Sequence, residues 1–459
     1  MRTVIEGCAV ATVDAAGTEH ASGHLVIEGN RILAVGSGPA PPAPTDDPTP
    51  VRRIDGTGAL LTPGLVNTHH HLYQWATRGL ATDSTLFQWL VELYPVWARI
   101  DADIEHAAAR GALASLALSG CTTTMDHHYV FPAGRGDLFA AEIAAAAEIG
   151  LRFAPTRGSM DRGRSQGGLP PDEVVEDLDT ILAQTQDAIE RHHDPSPGSM
   201  VRVGVSPCSP FSVTEKLLTE AAALARAAGV RLHTHLAETL DEEAFARTTF
   251  GCTPTEYLDR LGWLGQDVWL AHCVHLDDAA VARLGVTGTG VAHCPSSNAR
   301  LGAGLARVPD LIGAGVAVGL GVDGAASQEV SQLVAELRQS LYVARLRAGP
   351  SALGVRQALR LGTIEGARCL GRAEELGSLE VGKLADVAMW RLSGLGHADI
   401  ADPVAALVLG PNPPLALLLV DGRVVVENGE LRTGSEQKIA RGARAAARRL
   451  AGVDDGGTP

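Results

Sequence analysis

The residues that could do chemistry begin at His69-His70-His71. In a strand alternate side chains share a face, so His69 and His71 point one way together and His70 points the other. Two imidazoles on one face suit a borderline divalent cation such as zinc. The theme returns further on, in His233-Thr234-His235 with Glu238 three residues beyond, in Ala271-His272-Cys273, and in Gly321-Val322-Asp323-Gly324. By parity His233 and His235 also share a face, and one of them can be a packed or supporting histidine rather than a ligand. Histidines, a glutamate and an aspartate recurring at the ends of apolar runs read as a metal site.

These groups lie far apart in the chain, so the elements that carry them must bring them together. Short apolar runs at 64–68, 121–125, 151–155, 201–205, 230–234, 268–271, 290–292 and 316–319 alternate with Ala-rich helical stretches. Eight strand candidates, most followed by a helix, predict a closed (β/α)8 TIM-like barrel of the α/β class. Barrel enzymes carry their catalytic groups at the C-terminal ends of the strands, which is where the histidines and acids fall. The flanks read differently. Runs at 3–5, 25–27 and 32–35 surround a turn at Gly29-Asn30, and runs at 385–390, 415–420 and 422–427 are joined by turns at Asp421-Gly422 and Asn428-Gly429. The two flanks are expected to pair into one small composite β-sandwich domain, 1–62 with 375–459, around a barrel at 63–374. The proline-rich stretch 38–50 reads as a loop, and the Arg-rich stretch 437–450 as an amphipathic surface helix with a solvated basic face.

Composition agrees with an enzyme. The 459 residues are 45% hydrophobic and 20% charged, enough to bury a sizeable core. Length alone suggests about three domains of roughly 150 residues, or one large barrel with an appendage. The formal charge of −15 argues against nucleic acid or an anionic membrane as partner. Seven cysteines without a C-x-x-C favour neither a disulfide framework nor a zinc ribbon, and suggest a reducing, cytoplasmic compartment. No apolar run reaches the roughly 18 residues of a membrane span, and residues 1–14 lack the pattern of a secretory leader.

The segment from Pro63 to His71, with His235-Leu236-Ala237-Glu238, Ala271-His272-Cys273-Val274-His275 and Gly321-Val322-Asp323-Gly324, resembles the amidohydrolase superfamily, in particular its mononuclear aminohydrolase branch. The likeness runs from about residue 56 to residue 382. It implies that His69, His71, His235 and Asp323 hold one divalent ion, zinc by default, with iron or manganese suiting the same ligands. Such an ion brings the pKa of its water towards about 7. The resemblance further implies that His272 orients the attacking oxygen, that Asp323 takes its proton and passes it to the leaving amine, and that Glu238 protonates the ring nitrogen. Two-metal relatives bridge their ions with a carboxylated lysine at the end of strand four. The only lysines here are Lys216, Lys383 and Lys438, none of them in the run 201–208, so one-metal chemistry is expected.

A closer pattern, in Leu72-Tyr73-Gln74, Leu93-Tyr94-Pro95-Val96-Trp97-Ala98-Arg99, Thr156-Arg157-Gly158-Ser159-Met160 and Pro207-Cys208-Ser209-Pro210-Phe211, resembles members of that branch acting on oxidised purines. It implies hydrolytic deamination of 8-oxoguanine to urate and ammonia. Isoxanthopterin or another pterin, guanine and an aminotriazine are the alternatives within the branch. A non-catalytic scaffold is the alternative from another class, and it would have no reason to keep the whole set of ligands and acids. The expected partner is a small aminated heterocycle, and a homo-oligomer is compatible with the sequence. In this reading Gln74, Arg157 and Cys208 stand at the barrel mouth, Gln74 and Arg157 offering hydrogen bonds to the ring. Their structural alternatives are loop stabilisation, an ion pair and a buried thiol. Trp89 and Trp97 are expected either to cap the pocket or to pack in the core, His127-His128 to support the site, Asn298 to buttress a loop, and His192-His193 to form a solvated turn. Gln328 departs from the asparagine expected after Asp-Gly-x-Ala-Ser, a departure that bears on selectivity.

Overall fold

The computed structural model describes residues 1–42 and 48–453. Eight parallel strands, Leu65–Asn67, Cys121–His128, Arg152–Ser159, Gly204–Pro207, Leu232–Leu236, Val268–His272, Gly290–His293 and Val318–Leu320, close into a barrel in chain order. The eighth pairs with the first through Leu320 and Asn67. Each expected run forms a strand. Strands two and three extend further than expected, to His128 and Ser159, and strand four starts late, at Gly204. The helices between them are delimited by local chemistry. Asp101, Asp137, Asp177, Thr214, Thr239 and Asp277 cap N-termini with their side chains. Gly150, Gly229, Gly251 and Gly288 end helices in the left-handed conformation that a side chain would oppose.

Strand one is followed by a 3-10 turn, Leu72–Thr77, and then by helix Leu86–Trp97, whose buried face includes Leu86, Trp89, Leu90, Leu93, Tyr94 and Trp97. The recurrence at three- and four-residue intervals is that of one helical stripe.

The two ends of the chain form one sheet. Its order is Glu430–Leu431, Arg423–Glu427, Leu415–Val420, Val387–Arg391, Ala59–Pro63, Arg2–Ala11, Glu19–Glu28, Arg31–Ser37, with Val51–Asp55 also paired to Arg2–Ala11. Asp421-Gly422 and Asn428-Gly429 all have positive φ, the two-residue turn that matches the twist of a hairpin. Ile5, Leu25, Ile27, Val387, Leu417 and Leu419 share an apolar core distinct from that of the barrel. The C-terminal helix Glu436–Ala451 turns Ile439, Ala443, Ala446 and Leu450 inward and packs against barrel helix Ala102–Leu118. Arg152, fully buried at the start of strand three, joins sheet to barrel: it donates to both carboxylate oxygens of Asp386 at 3.0 and 3.1 Å and to the carbonyls of Gly198 and Ser199. Of the loop expected over 38–50, residues 43–47 lie outside the described ones. Among the described residues no helix is long and apolar enough to cross a membrane.

Candidate active site

Strands one, five and the turn after strand eight bring three imidazoles and a carboxylate together at the C-terminal end of the barrel. Nε2 of His71 lies 3.1 Å from Nε2 of His235, and Oδ1 of Asp323 lies 3.3 Å from Nε2 of both His69 and His71. The protons on these rings follow from their outer partners. His71 Nδ1–H donates to the His127 carbonyl at 2.7 Å, and His235 Nδ1–H to the Cys208 carbonyl at 2.6 Å. His233 Nδ1–H donates to the Trp269 carbonyl at 2.8 Å, which leaves its Nε2 to accept from His69 Nδ1–H, also at 2.8 Å. A carbonyl can only accept, so each inward-facing Nε2 of these neutral rings is a bare lone pair. Burial above all holds His69, His71 and His235 below the usual histidine range, in the neutral form. Lone pairs and a carboxylate therefore face one another with no proton between them. Ligands about 2.1 Å from one ion stand roughly 3–3.5 Å apart, so the donor set fits a single divalent cation. His233 is thus the supporting member of its pair. His127 supports twice, through its carbonyl and through a ring stacked on His235 with centroids 4.7 Å apart.

Two serines that sequence reasoning missed hold the carboxylate. Ser297 and Ser327 hydroxyls donate to Asp323 Oδ2 at 2.6 and 3.0 Å, leaving Oδ1 to the histidines. Ser327 closes the Asp-Gly-x-Ala-Ser pattern that begins at Asp323, whereas Ser297 arrives from another strand end with no spacing signal.

Beside this centre Glu238 Oε2 lies 3.6 Å from His272 Nε2, and His272 Nδ1–H donates to Asn298 Oδ1 at 2.9 Å. Burial pushes the Glu238 carboxyl up to about 7; His272 opposes the shift, while Asp323 and Glu242 add to it. The backbone is strained at the same strand ends, with φ of +51° at Ala237, +70° at His272 and +62° at Asp323. Such residues cost about 1–3 kcal/mol each and persist only where their surroundings hold them. At Ala237 the holding group is Glu242, a fully buried carboxylate also missed from sequence. Its two oxygens accept from the Ala237 and Glu238 amides, both at 2.9 Å. A glutamine there can accept from only one amide and turns an NH2 toward the other. Hydrogen bonds to charged groups contribute about 1.5–3 kcal/mol. Glu242→Gln is therefore expected to lower kcat by about tenfold to a hundredfold with KM changed by less than about threefold. Steady-state kinetics check this, and an unaltered kcat would show that the clamp does not position Glu238.

The histidines and acids open onto a slot walled by Leu86, Leu90, Tyr94, Tyr129, Phe211 and Leu301, with Gln74, Trp89 and Cys208 also lining it. The walls are largely apolar and aromatic, as a flat heterocycle requires. Trp89 Nε1–H is anchored on the Ala326 carbonyl at 3.3 Å. Cys208 contributes mainly its carbonyl to His235; burial pushes its thiol up to about 12, so it stays neutral. Gln74 lies against Gly324, where an added Cβ would stand 1.7 Å from its Oε1. Gly324→Ala must displace the Gln74 amide, and a rise in KM of about tenfold, with metal content unchanged, is the expected outcome.

Arg157 does not reach the slot. Strand three continues through it and turns its side chain toward the helix layer, where it donates to Glu176 and Gln184 at 2.8 Å and stacks over Phe131. Its charge is already used. Trp97 is likewise core, with Nε1–H on Thr77 Oγ1 at 3.1 Å. Gln328 is buried against Glu336 at 2.7 Å, behind the site. His192 ends helix Leu178–His192, and His193 Nδ1 accepts the Val203 amide at 3.1 Å, so this pair closes a helix onto strand four rather than turning in solvent.

Comparison with known proteins agrees with this geometry. Residues 60–426 match the amidohydrolase family. The chain is 45% identical over 392 residues to an 8-oxoguanine deaminase of Pseudomonas aeruginosa, covering 85% of this chain and 86% of that one. It is 37% identical over 398 residues to an isoxanthopterin deaminase of an unknown prokaryotic organism, covering 82% of each. Among solved structures, atrazine chlorohydrolase from Arthrobacter aurescens TC1 complexed with zinc superposes with a TM-score of 0.91 at 32% identity, covering 97% of this chain and all of that one. With its barrel, its strand-end histidines and acids, and these relatives, the chain belongs to the amidohydrolase family.

Proposed function

We propose that this protein is a metal-dependent hydrolytic deaminase of aminated heterocycles whose substrate is 8-oxoguanine, giving urate and ammonia. The observation that carries the reading is the convergence of three Nε2 lone pairs and Asp323 Oδ1 beside the Glu238–His272 pair, in a slot with largely apolar and aromatic walls. The 45% identity to an 8-oxoguanine deaminase supports that substrate over the others of the branch.

His69, His71, His235 and Asp323 would hold one divalent ion, zinc by default. When bound, such an ion supplies Lewis acidity that brings the ionisation of water to neutral pH. The remaining work falls to the chain's own groups. Trp89 and its neighbours clasp the ring and exclude bulk water, and Gln74 pairs with its polar edge. Glu238, protonated near neutrality, gives its proton to the ring nitrogen next to the carbon under attack. His272, its ring fixed by Asn298, steadies the developing charge. Asp323 takes the proton of the attacking water and returns it to the exocyclic amine. The carbon–nitrogen bond to the amine breaks and ammonia leaves, while the new hydroxyl becomes a ring carbonyl by losing its remaining proton, which restores the Glu238 carboxyl.

Because Glu238 acts in its protonated form and its carboxyl sits near 7, kcat is expected to fall by about tenfold per pH unit above that value. A kcat flat to pH 9 would exclude that role. The substrate is tested by ammonia release from zinc-loaded protein with 8-oxoguanine, guanine, isoxanthopterin and an aminotriazine. The highest kcat/KM is expected on 8-oxoguanine, with urate as product. Turnover of the pterin or the triazine without turnover of 8-oxoguanine would overturn the assignment.

A further inference from the structure

A second set of buried acceptors lies behind the barrel wall. Helices Ala102–Leu118 and Leu138–Ile149 pack together outside strand two and carry Glu105 and Glu142, and the strand itself contributes His128. All three are fully buried, and one ligand atom from each lies within 4.8 Å of the others. Strand parity separates this cluster from the active site: His127 faces the catalytic histidines, and His128 faces the helices.

The cluster repeats the signature of the first site, in which acceptors face acceptors. Both carboxylate oxygens of Glu105 and Nδ1 of His128 have no hydrogen-bond partner among the described residues, and the Glu142 carboxyl is met only by that of Asp126. The tautomer of His128 is set by its other nitrogen, since Nε2–H donates to the Val130 carbonyl at 2.9 Å. Its Nδ1 is therefore a bare lone pair, and it stands 3.7 Å from Glu105 Oε2. That separation is too long for a hydrogen bond, so a proton on either atom would not join them. Two ligands that share an ion at about 2.1 Å stand roughly 3–3.5 Å apart, so a bound ion would draw this pair slightly together. No lysine or arginine pairs with either glutamate among the described residues, although burying an uncompensated carboxylate costs several kcal/mol.

We propose that Glu105, His128 and Glu142 form a second, non-catalytic site for a divalent cation of the zinc or manganese class. One imidazole among carboxylates favours such a borderline ion over calcium or magnesium, which take oxygen ligands. The site has a structural use. Asp126, which lies against Glu142, accepts the amide of Leu72 at 2.6 Å, directly after the ligand His71. An ion drawing Glu142 toward Glu105 and His128 would anchor helices, strand two and, through Asp126, the segment that carries His71. The competitor for the site is the proton: burial pushes the carboxyls of Glu105 and Glu142 well above the usual range, and Asp126 reinforces the shift in Glu142.

The test uses the full chain loaded with Zn2+, freed of excess metal and analysed by inductively coupled plasma mass spectrometry. Two equivalents per chain are expected. Glu105→Gln with Glu142→Gln should reduce the count to one while the catalytic ion stays. His71→Ala should also leave about one, now at the buried cluster, so this outcome does not depend on the enzyme's substrate or activity. Should the double variant fail to fold, anomalous diffraction from wild-type crystals at the zinc edge decides, with a peak expected between Glu105, His128 and Glu142. A single equivalent in the wild type, or no anomalous peak among those three residues, would overturn the proposal and show that protons or water hold the cluster.

Discussion

Glu238→Gln is expected to lower turnover by about 10²–10⁴-fold, the usual contribution of a positioned general acid, while the bound metal stays at the wild-type level. The side chain keeps its shape and volume, and Glu238 is outside the set of groups converging between His69, His71, His235 and Asp323. What is lost is a transferable proton. Glutamine has none to give at any working pH, so the high-pH limb expected for the wild type should vanish from the residual activity. Substrate affinity should change little, because the slot walls are untouched. The measurements are single-turnover rates across pH together with metal content, and a variant retaining more than about a tenth of wild-type kcat would remove Glu238 from proton transfer.

The second large effect concerns stability. Arg152→Ala is expected to cost about 3–5 kcal/mol, the loss seen when one partner of a buried ion pair is removed. Asp386, only 5% exposed, would keep its charge without its partner, and the carbonyls of Gly198 and Ser199 would lose the donor that now serves both. Arg372, which also donates to the Ser199 carbonyl, returns part of this loss, because a like charge beside it disappears. Denaturant unfolding of Arg152→Ala and of the double variant Arg152→Met with Asp386→Asn separates the contributions. The double variant should recover about half of the loss, since Asp386 is then uncharged and only the partly exposed Asp421 loses an ion-pair partner. A cost below about 1 kcal/mol in the single variant would show that sheet and barrel do not depend on this bridge.

Comparing particular elements shows how far local pattern carries. Parity along 69–71 and 233–235 anticipates which histidines share a face, because a strand permits only two directions. It does not tell His233 from His235; that depends on the Trp269 and Cys208 carbonyls, which arrive from other strands. Strand four begins later than its apolar pattern predicts, for a related reason. Val201 and Val203 read as an alternating apolar run, yet Val201 makes only an isolated bridge to Phe153, and Arg202 turns out to Glu375. Arg157 shows the limit most clearly. A cation at a strand end reads as a substrate contact until Glu176 and Gln184, in the following segment, are seen to take its donors.

By itself the sequence determined the barrel, the sheet built from both chain ends, and the strand-end positions of the histidines and acids. These follow from periodicities of two and 3.6 residues and from where polar groups interrupt apolar runs, and both are local properties. The tertiary structure alone decided which nitrogen of each imidazole faces the centre, how Glu242 holds the backbone at Ala237 and Glu238 and the two serines hold the Asp323 carboxylate, and that Glu105, His128 and Glu142 meet behind the wall. Those outcomes depend on hydrogen bonds and burial between groups tens to hundreds of residues apart, and no spacing along the chain encodes them.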